Sequence, residues 1–314
     1  MEKFDIKQAY YLYYLIRKSE EKIIELYPTD KIKSPVHLSN GQEAVAVGVN
    51  MALAKEDIVF SNYRGHAHYI ARGGSLEKFW SELYGKSSGT AHGKAGSMHL
   101  GDHEVNFMTT SAIVASSIPQ AVGYAYAQKY LDNQGIVVCF HGDGAVDEGV
   151  YWESLNFAAL HKLPILFVCE NNKYAIYTHQ ERRMAKTNIT EKAETFGVSA
   201  FDLGYANTEK IYKKTLRILE SIKEKNQPYL IECETTRFMD HVGVQSDKWL
   251  DYRSDKNLDD AIKDDEIFKL ESLLNKDTVN DIQKRALDNI NSAMSYAEMS
   301  DYPSEDQLTG DVYG

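Results

Sequence analysis

The chain reads as an α/β protein built on a mostly parallel sheet with helices on both faces. Three observations predict this. Short runs are almost wholly apolar: "IVF" at 58–60, "IVVCF" at 136–140, "ILFVC" at 165–169 and "YLIEC" at 229–233. Strands that lack polar alternation are covered on both faces. Helical patterns alternate with these runs, as crossover connections between parallel strands require. Each run also stops abruptly in small or polar residues, the place where open parallel sheets bind ligands.

Taken in order, residues 5–26 form an amphipathic helix with Tyr10, Tyr13, Tyr14, Ile23 and Ile24 on its apolar side. "GQEAVAVGVNMALA" (41–54) is a second helix, with very small side chains. Residues 121–131, 149–162 and 209–225 carry further helical patterns, and 264–299 reads as two charged helices. Residues 84–112 have no clear period and are rich in Gly, Ser and His; a loop of that length in a compact domain is functional or disordered. No Gly, Pro or Ser linker divides the chain. It is read as one domain over 1–314, with helical N- and C-terminal extensions.

The 314 residues are 43% hydrophobic and 26% charged, which suits a globular protein. The net charge of −11 lacks the basic field that nucleic acid or an anionic membrane surface would need. Cys139, Cys169 and Cys233 each sit inside a strand-like apolar run, so they read as buried hydrophobes and imply no disulfide framework. The N-terminus lacks the apolar segment of a signal peptide, and no run approaches the ~20 apolar residues of a membrane span. A reducing cytoplasm fits this pattern.

The strand ends carry the chemistry. After "IVF" come Tyr63, Arg64 and His66. After "IVVCF" comes His141-Gly142-Asp143-Gly144, after "ILFVC" Asn171-Asn172, and after "YLIEC" Arg237 and His241. The stretch from 136 to 172 is one β-α-β unit, whose crossover makes its strands parallel. Asp143 and Asn172 should therefore reach the same edge. A carboxylate and an amide oxygen make a partial shell for Mg²⁺, which takes its other oxygens from phosphates and water. Gly142 and Gly144 would let the backbone turn tightly beside a phosphate, and the following helix N-terminus would add its positive dipole end. Alone, Gly142-Asp143-Gly144 reads equally as an ordinary turn. The pairing with Asn171-Asn172 gives it meaning.

Gly-Asp-Gly followed 26 residues later by Asn-Asn is similar to the thiamine diphosphate signature. With "HLSNGQEAVAVG" (37–48), "YRGHAHYIARG" (63–73), "GKAGSMH" (93–99), "GDGAVDEG" (142–149), "LPILFVCENNKYAI" (163–176) and "DVY" (311–313), the chain resembles the alpha subunit of thiamine diphosphate-dependent 2-oxo acid dehydrogenases. The resemblance implies a thiamine diphosphate-binding fold. It makes Asp143, Asn172 and the Tyr174 carbonyl Mg²⁺ ligands, with Gly142, Gly144 and Ala145 completing the loop at the cofactor. Tyr63, Arg64, Arg237 and His241 would meet the diphosphate and the substrate entrance. The backbone of 111–115, at Ile113 and Ala115, would meet the aminopyrimidine, and His37, His66 and His241 would be the catalytic histidines. It further implies a beta-type partner in an α2β2 assembly, a 2-oxo acid substrate that is decarboxylated, and a lipoyl-bearing acyltransferase as acceptor.

Other readings stand beside this one. A carboligase would pass the same unit to an aldehyde or sugar, and a scaffold relative would keep the fold without catalysis. His66, His68, His92, His99 and His103 could form a transition-metal cluster, though without helical metal spacing. His161 reads as a helix-end cation. The sequence departs from the family at Arg237-Phe238-Met239-Asp240-His241, where the usual pattern is Arg-Tyr-His-Gly-His and its first histidine, at 239, is missing. The phosphorylated serine segment of some relatives is replaced by "VGVQSDKWLDYR". Tyr177 stands where relatives often have a small residue. These departures touch the substrate side more than the cofactor.

Overall fold

A computed structural model describes residues 3–248, 252–253 and 255–310. In chain order the elements are α1 (Ile6–Leu26), α2 (Glu43–Asn50), β1 (Ile58–Phe60), α3 (His66–Arg72), α4 (Leu76–Leu83), β2 (Phe107–Thr109), α5 (Ser117–Tyr130), β3 (Val137–Gly142), α6 (Gly149–Leu160) and β4 (Ile165–Asn171). There follow β5 (Tyr174–Ala175), β6 (Thr178–His179), α7 (Ile189–Thr195), β7 (Ser199–Asp202), α8 (Thr208–Lys225), β8 (Tyr229–Glu234), α9 (Asp255–Lys263), α10 (Glu266–Ser272) and α11 (Lys276–Met299). The terminal "DVY" motif lies outside the described residues.

Six strands form one sheet in the order β2-β1-β3-β4-β8-β7, and every pairing is parallel. The four apolar runs are the four inner strands, side by side. Their side chains alternate between two cores, as a strand's period of two demands. Val138, Phe140, Leu166, Val168 and Ile231 point to one face, which α1, α2, α8 and α11 cover. Val137, Cys139, Ile165, Phe167, Cys169 and Leu230 point to the other, under α5, α6 and α7. All three cysteines are buried and free.

Local chemistry explains the helix positions. Asp5 caps α1 by accepting from the Lys7 and Gln8 N–H groups. The small side chains of α2 let α8 approach closely: a Cβ on Gly48 would lie 2.8 Å from Ile211. The helix is shorter than the sequence pattern suggested, because the segment before it bends at Gly41 (φ +91°), where a Cβ would meet the Thr236 carbonyl at 2.1 Å. Residues 84–112 are neither helix nor strand for most of their length. Glu82 orders them: its buried carboxylate accepts the N–H groups of Ala91 (2.8 Å), Gly93 (3.0 Å), Ala95 (2.8 Å) and Gly96 (2.9 Å). Among the described residues, no helix is long and apolar enough to cross a membrane.

The N- and C-terminal helices are joined through buried charge. Arg17 on α1 pairs with Glu43 on α2 (2.5 Å) and with Asp265, the N-cap of α10 (2.6 Å). Glu43 is fully buried, and Tyr13 also donates to Asp265 (3.1 Å). Removing one member strands the others in a medium that solvates them poorly. Arg17→Met should cost about 3–5 kcal/mol in urea denaturation, because it leaves Glu43 and Asp265 unpaired. Lys18→Met, which loses the solvent-facing pair with Glu21 and a contact of its ammonium with the Tyr14 ring, should cost less than about 1 kcal/mol.

Candidate active site

The strand register sets the site. Gly142 pairs with Glu170 across β3 and β4, so Asp143 and the asparagines after β4 leave the sheet together. A cavity of about 270 Å³ opens at this edge. Tyr63, Arg64, Ile113, Ala115, Gly142, Asp143, Gly144, Ala145, Asn172, Tyr174, Arg237 and His241 all line it. The four inner strands thus deliver their end residues to one place.

Each polar side chain is held. Asp143 is 1% exposed, and its Oδ2 accepts from Arg183 at 2.5 Å. Burial pushes its carboxyl up, while Arg183 opposes that shift. Asn172 donates to the Gln42 side chain (3.1 Å) and accepts from the Tyr174 N–H (3.1 Å). The Tyr174 backbone is fixed by the two-strand hairpin of β5 and β6. Neither Gly142 nor Gly144 adopts a left-handed φ: Gly142 is extended (φ −85°, ψ 168°). The expected glycine-permitted turn is therefore absent, and what Gly144 supplies is room, since a Cβ there would press on Ala175 at 3.2 Å. The chain next makes a 3₁₀ turn over Asp143–Asp147, and α6 begins at Gly149, where the helical pattern of 149–162 placed its start.

Arg64 and Arg237 form the cationic wall. Arg64 donates to the carbonyls of Leu38 (2.6 Å) and His241 (3.0 Å). Burial, with Arg237 adding repulsion, holds its guanidinium down at about 10. Arg237 donates to the Met239 and Ile176 carbonyls and faces Asp247 at 3.3 Å, which Arg253 shares at 2.7 Å. His241 lines the cavity, with Tyr63 and His37 against it: ring centroids lie 5.8 Å and 5.2 Å away, and His37 is 4.5 Å from Tyr63. Burial first, then Arg64, holds His241 down at about 3 and His37 at about 2. Both are neutral near pH 7.

Two of the expected catalytic histidines sit elsewhere than expected. His37 does not line the cavity; it stands behind Tyr63 and His241, and its buried Nδ1 has no hydrogen-bond partner. His66 is fully buried outside the cavity lining, with Nδ1 3.2 Å from Glu20 and Nε2 2.7 Å from Ser97. Both of its nitrogens are taken, so it clamps α1 to the 84–112 segment and is not brought together with the residues that line the cavity. The other histidines do not converge: among the described residues, no group of three or more His, Cys, Asp or Glu could hold a metal ion. Sequence reasoning missed Gln42, His141, Asp147, Glu148 and Glu170, which line the cavity, and Arg183. Gln42 lies in the quoted "GQEA" motif; the spacing of Arg183 gives no signal.

The low-lying His37 predicts a pH dependence. Below the ordinary value of ~6.5, the unfolded chain takes up a proton that the folded site refuses. Stability is complete above that pH and drains as pH falls toward 2. His37→Asn should therefore show a flatter fall of Tm between pH 6.5 and 4 than the parent chain.

The Dehydrogenase E1 component family matches residues 11–305. The alpha subunit of acetoin:2,6-dichlorophenolindophenol oxidoreductase from Bacillus subtilis (strain 168) is 34% identical over 95% of this chain and 90% of its own. The pyruvate dehydrogenase E1 component alpha subunit of Rickettsia bellii (strain RML369-C) is 32% identical over 95% and 93%. The chloroplastic alpha-3 subunit of Arabidopsis thaliana pyruvate dehydrogenase E1 is 33% identical over 95% and 72%. None of these names is that of a carboligase. The chain belongs to the dehydrogenase E1 component family, as the alpha subunit of a thiamine diphosphate-dependent 2-oxo acid dehydrogenase.

Proposed function

We propose that this cavity holds the Mg²⁺-diphosphate end of the cofactor, and that the chain decarboxylates a small 2-oxo acid and passes the acyl group to a lipoyl-type acceptor. The convergence of Asp143, Asn172 and Tyr174 beside Arg64 and Arg237 carries the reading. The donor set fits: a carboxylate, an amide oxygen and a backbone carbonyl are hard oxygens suited to Mg²⁺, and two buried guanidiniums suit a diphosphate. When bound, the thiamine group supplies the carbanion chemistry that breaks the bond to CO₂.

The chain's residues bind, orient and move protons. Asp143, Asn172 and the Tyr174 carbonyl hold the metal. Arg64, Tyr63 and His241 face the diphosphate side, and Gly142, Gly144 and Ala145 keep the loop close to it. The backbone near Ile113 and Ala115 forms the opposite wall. His241, neutral at working pH, is the proton carrier at the cavity. His37 stiffens it from behind.

A beta-type subunit completes the site. Ile113 is 71% exposed although it lines the cavity, and an apolar face continues along α5 and α6 through Tyr126, Tyr130, Phe157 and Leu160. Tyr126 and Phe157 are in ring contact across the two helices (5.8 Å). A contiguous apolar patch of this kind marks an interaction surface. Support for the partner comes from this patch and from the relatives' names as alpha subunits.

The test is co-expression with a beta-type subunit and measurement of CO₂ release from a panel of 2-oxo acids, with and without lipoyl acceptor. Asp143→Ala should abolish Mg²⁺-dependent cofactor binding; unchanged affinity would rule out this assignment. Leu160→Asp combined with Tyr126→Asp should abolish co-purification of the two subunits while leaving the far-ultraviolet circular dichroism of this chain intact. Acyloin formation that ignores the lipoyl acceptor would favour carboligation.

A further inference from the structure

We propose that Arg183 is the positioning residue of the metal site, fixing the Asp143 carboxylate so that one oxygen is committed and the other is presented to the cation. The inference rests on the reading of Asp143 as a Mg²⁺ ligand. Arg183 lies just past β6, at the end of a short 3₁₀ turn (Gln180–Arg182), on the same segment that supplies Tyr174. Its three guanidinium nitrogens are all used. One pairs with Asp143 Oδ2 at 2.5 Å, another with Asp147, and Nε donates to the Thr178 carbonyl at 3.1 Å. The side chain is only 10% exposed.

This geometry constrains the ligand. A carboxylate is planar, so holding Oδ2 in a fixed direction also fixes where Oδ1 lies. A planar guanidinium is suited to such a clamp because its donors diverge at set angles, whereas an ammonium offers one rotating point charge. The segment is itself tied to the asparagine pair: the Gln180 N–H donates to the Lys173 carbonyl at 2.7 Å, and Asn171 Nδ2 reaches Gln180 Oε1 at 3.4 Å. Arg183 thereby joins the loop after β3 to the loop after β4, the two sources of metal ligands.

The charge balance favours this role over that of a rival to the metal. Asp143 and Asp147 contribute two negative charges and Arg183 one positive, so the cluster keeps one net negative charge, and a diphosphate supplies the rest. Outer residues that orient a ligand typically change metal affinity about 10–100-fold when removed.

The experiment uses the complex with its beta-type subunit. Thiamine diphosphate binding is followed by tryptophan fluorescence while Mg²⁺ is varied, and Mn²⁺ binding is read independently by electron paramagnetic resonance. Arg183→Gln should raise the half-saturating Mg²⁺ about 10–100-fold, with kcat recovering once Mg²⁺ is raised to match. Asp147→Asn should shift it in the same direction by less. Arg183→Lys should recover part of the loss, and it carries the test by its own several-fold rise if the glutamine variant does not assemble. An unchanged Mg²⁺ midpoint with a lowered Tm would reduce Arg183 to a fold-holding role and overturn the proposal. A fall in the midpoint would make Arg183 a competitor of the metal and overturn it equally. Failure of the parent complex to bind thiamine diphosphate in a Mg²⁺-dependent way would instead sink the underlying site reading, and it is seen before any variant is made.

Discussion

The parallel register of β3 on β4 is the constraint on which the site depends. Val137 faces Ile165 and Gly142 faces Glu170 without a slip between them. Both strands are buried on both faces, so a shift by one residue would send every side chain to the wrong core. Phe140 and Val168 would leave the cluster under α1 and α8, and Cys139 and Phe167 would leave the one under α5 and α6. The cores thus enforce the register, and the register brings Asp143 and Asn172 out together. The position of these two side chains follows from hydrophobic packing several residues away.

Behind Asp143 and Asn172 stands a wall of charge that is costly in isolation. Arg64 is 5% exposed and Arg237 1%, and each makes the other's charge less favourable. Backbone carbonyls of Leu38, His241, Met239 and Ile176 hold the two guanidiniums, and Asp247 offsets Arg237. Burial, reinforced by the same field, keeps His37 and His241 neutral. Like charges gathered in a buried pocket suit a doubly anionic ligand, because its arrival relieves repulsion already built into the fold. It also explains how an acidic chain of net charge −11 can present a cationic cavity: the sign of the whole molecule says nothing about a pocket where a few buried groups dominate the potential.

The inner fold was legible in the sequence, and its edges were not. The four apolar runs became the four adjacent strands because continuous burial leaves a continuous apolar signature. β7 was missed because Ser199–Asp202 sits at the sheet edge, half-buried, with an aspartate at its end. β2 was missed because three residues, Phe107–Thr109, lie inside a stretch dominated by Gly, Ser and His. That stretch is ordered by Glu82, a long-range acceptor of backbone N–H groups that looks in sequence like any helix-surface acid. At the site, strand-end position found Arg64, Asp143, Asn172, Arg237 and His241. His66 has the same strand-end position, yet the start of α3 turns its ring inward to Glu20 and Ser97. Residues that act by holding another side chain, such as Gln42 on Asn172, leave no such trace.

The substrate side is less legible for a physical reason of its own. Met239, which stands where relatives carry a histidine, packs against the core and accepts Arg237 Nε at its carbonyl (2.9 Å), while the next residue, Asp240, turns its carboxylate back to accept the His241 N–H at 2.6 Å. Burial, and then a hydrogen bond to Asp240, pushes the Tyr177 hydroxyl up. Tyr177 in turn packs on Tyr252 (5.1 Å), which Tyr174 contacts from the other side at 5.1 Å. The exchange of histidine for methionine thus removes an imidazole, while Asp240 braces an aromatic cluster beside the loop that carries Tyr174. Asp143, Asn172 and Arg64 are untouched by this exchange, because each is held by other partners. The acyl group and its acceptor would meet that aromatic cluster on one side and the exposed Ile113 wall, with the partner subunit over it, on the other. Specificity set at that junction would then be shared between two chains, and one sequence would encode only its own half.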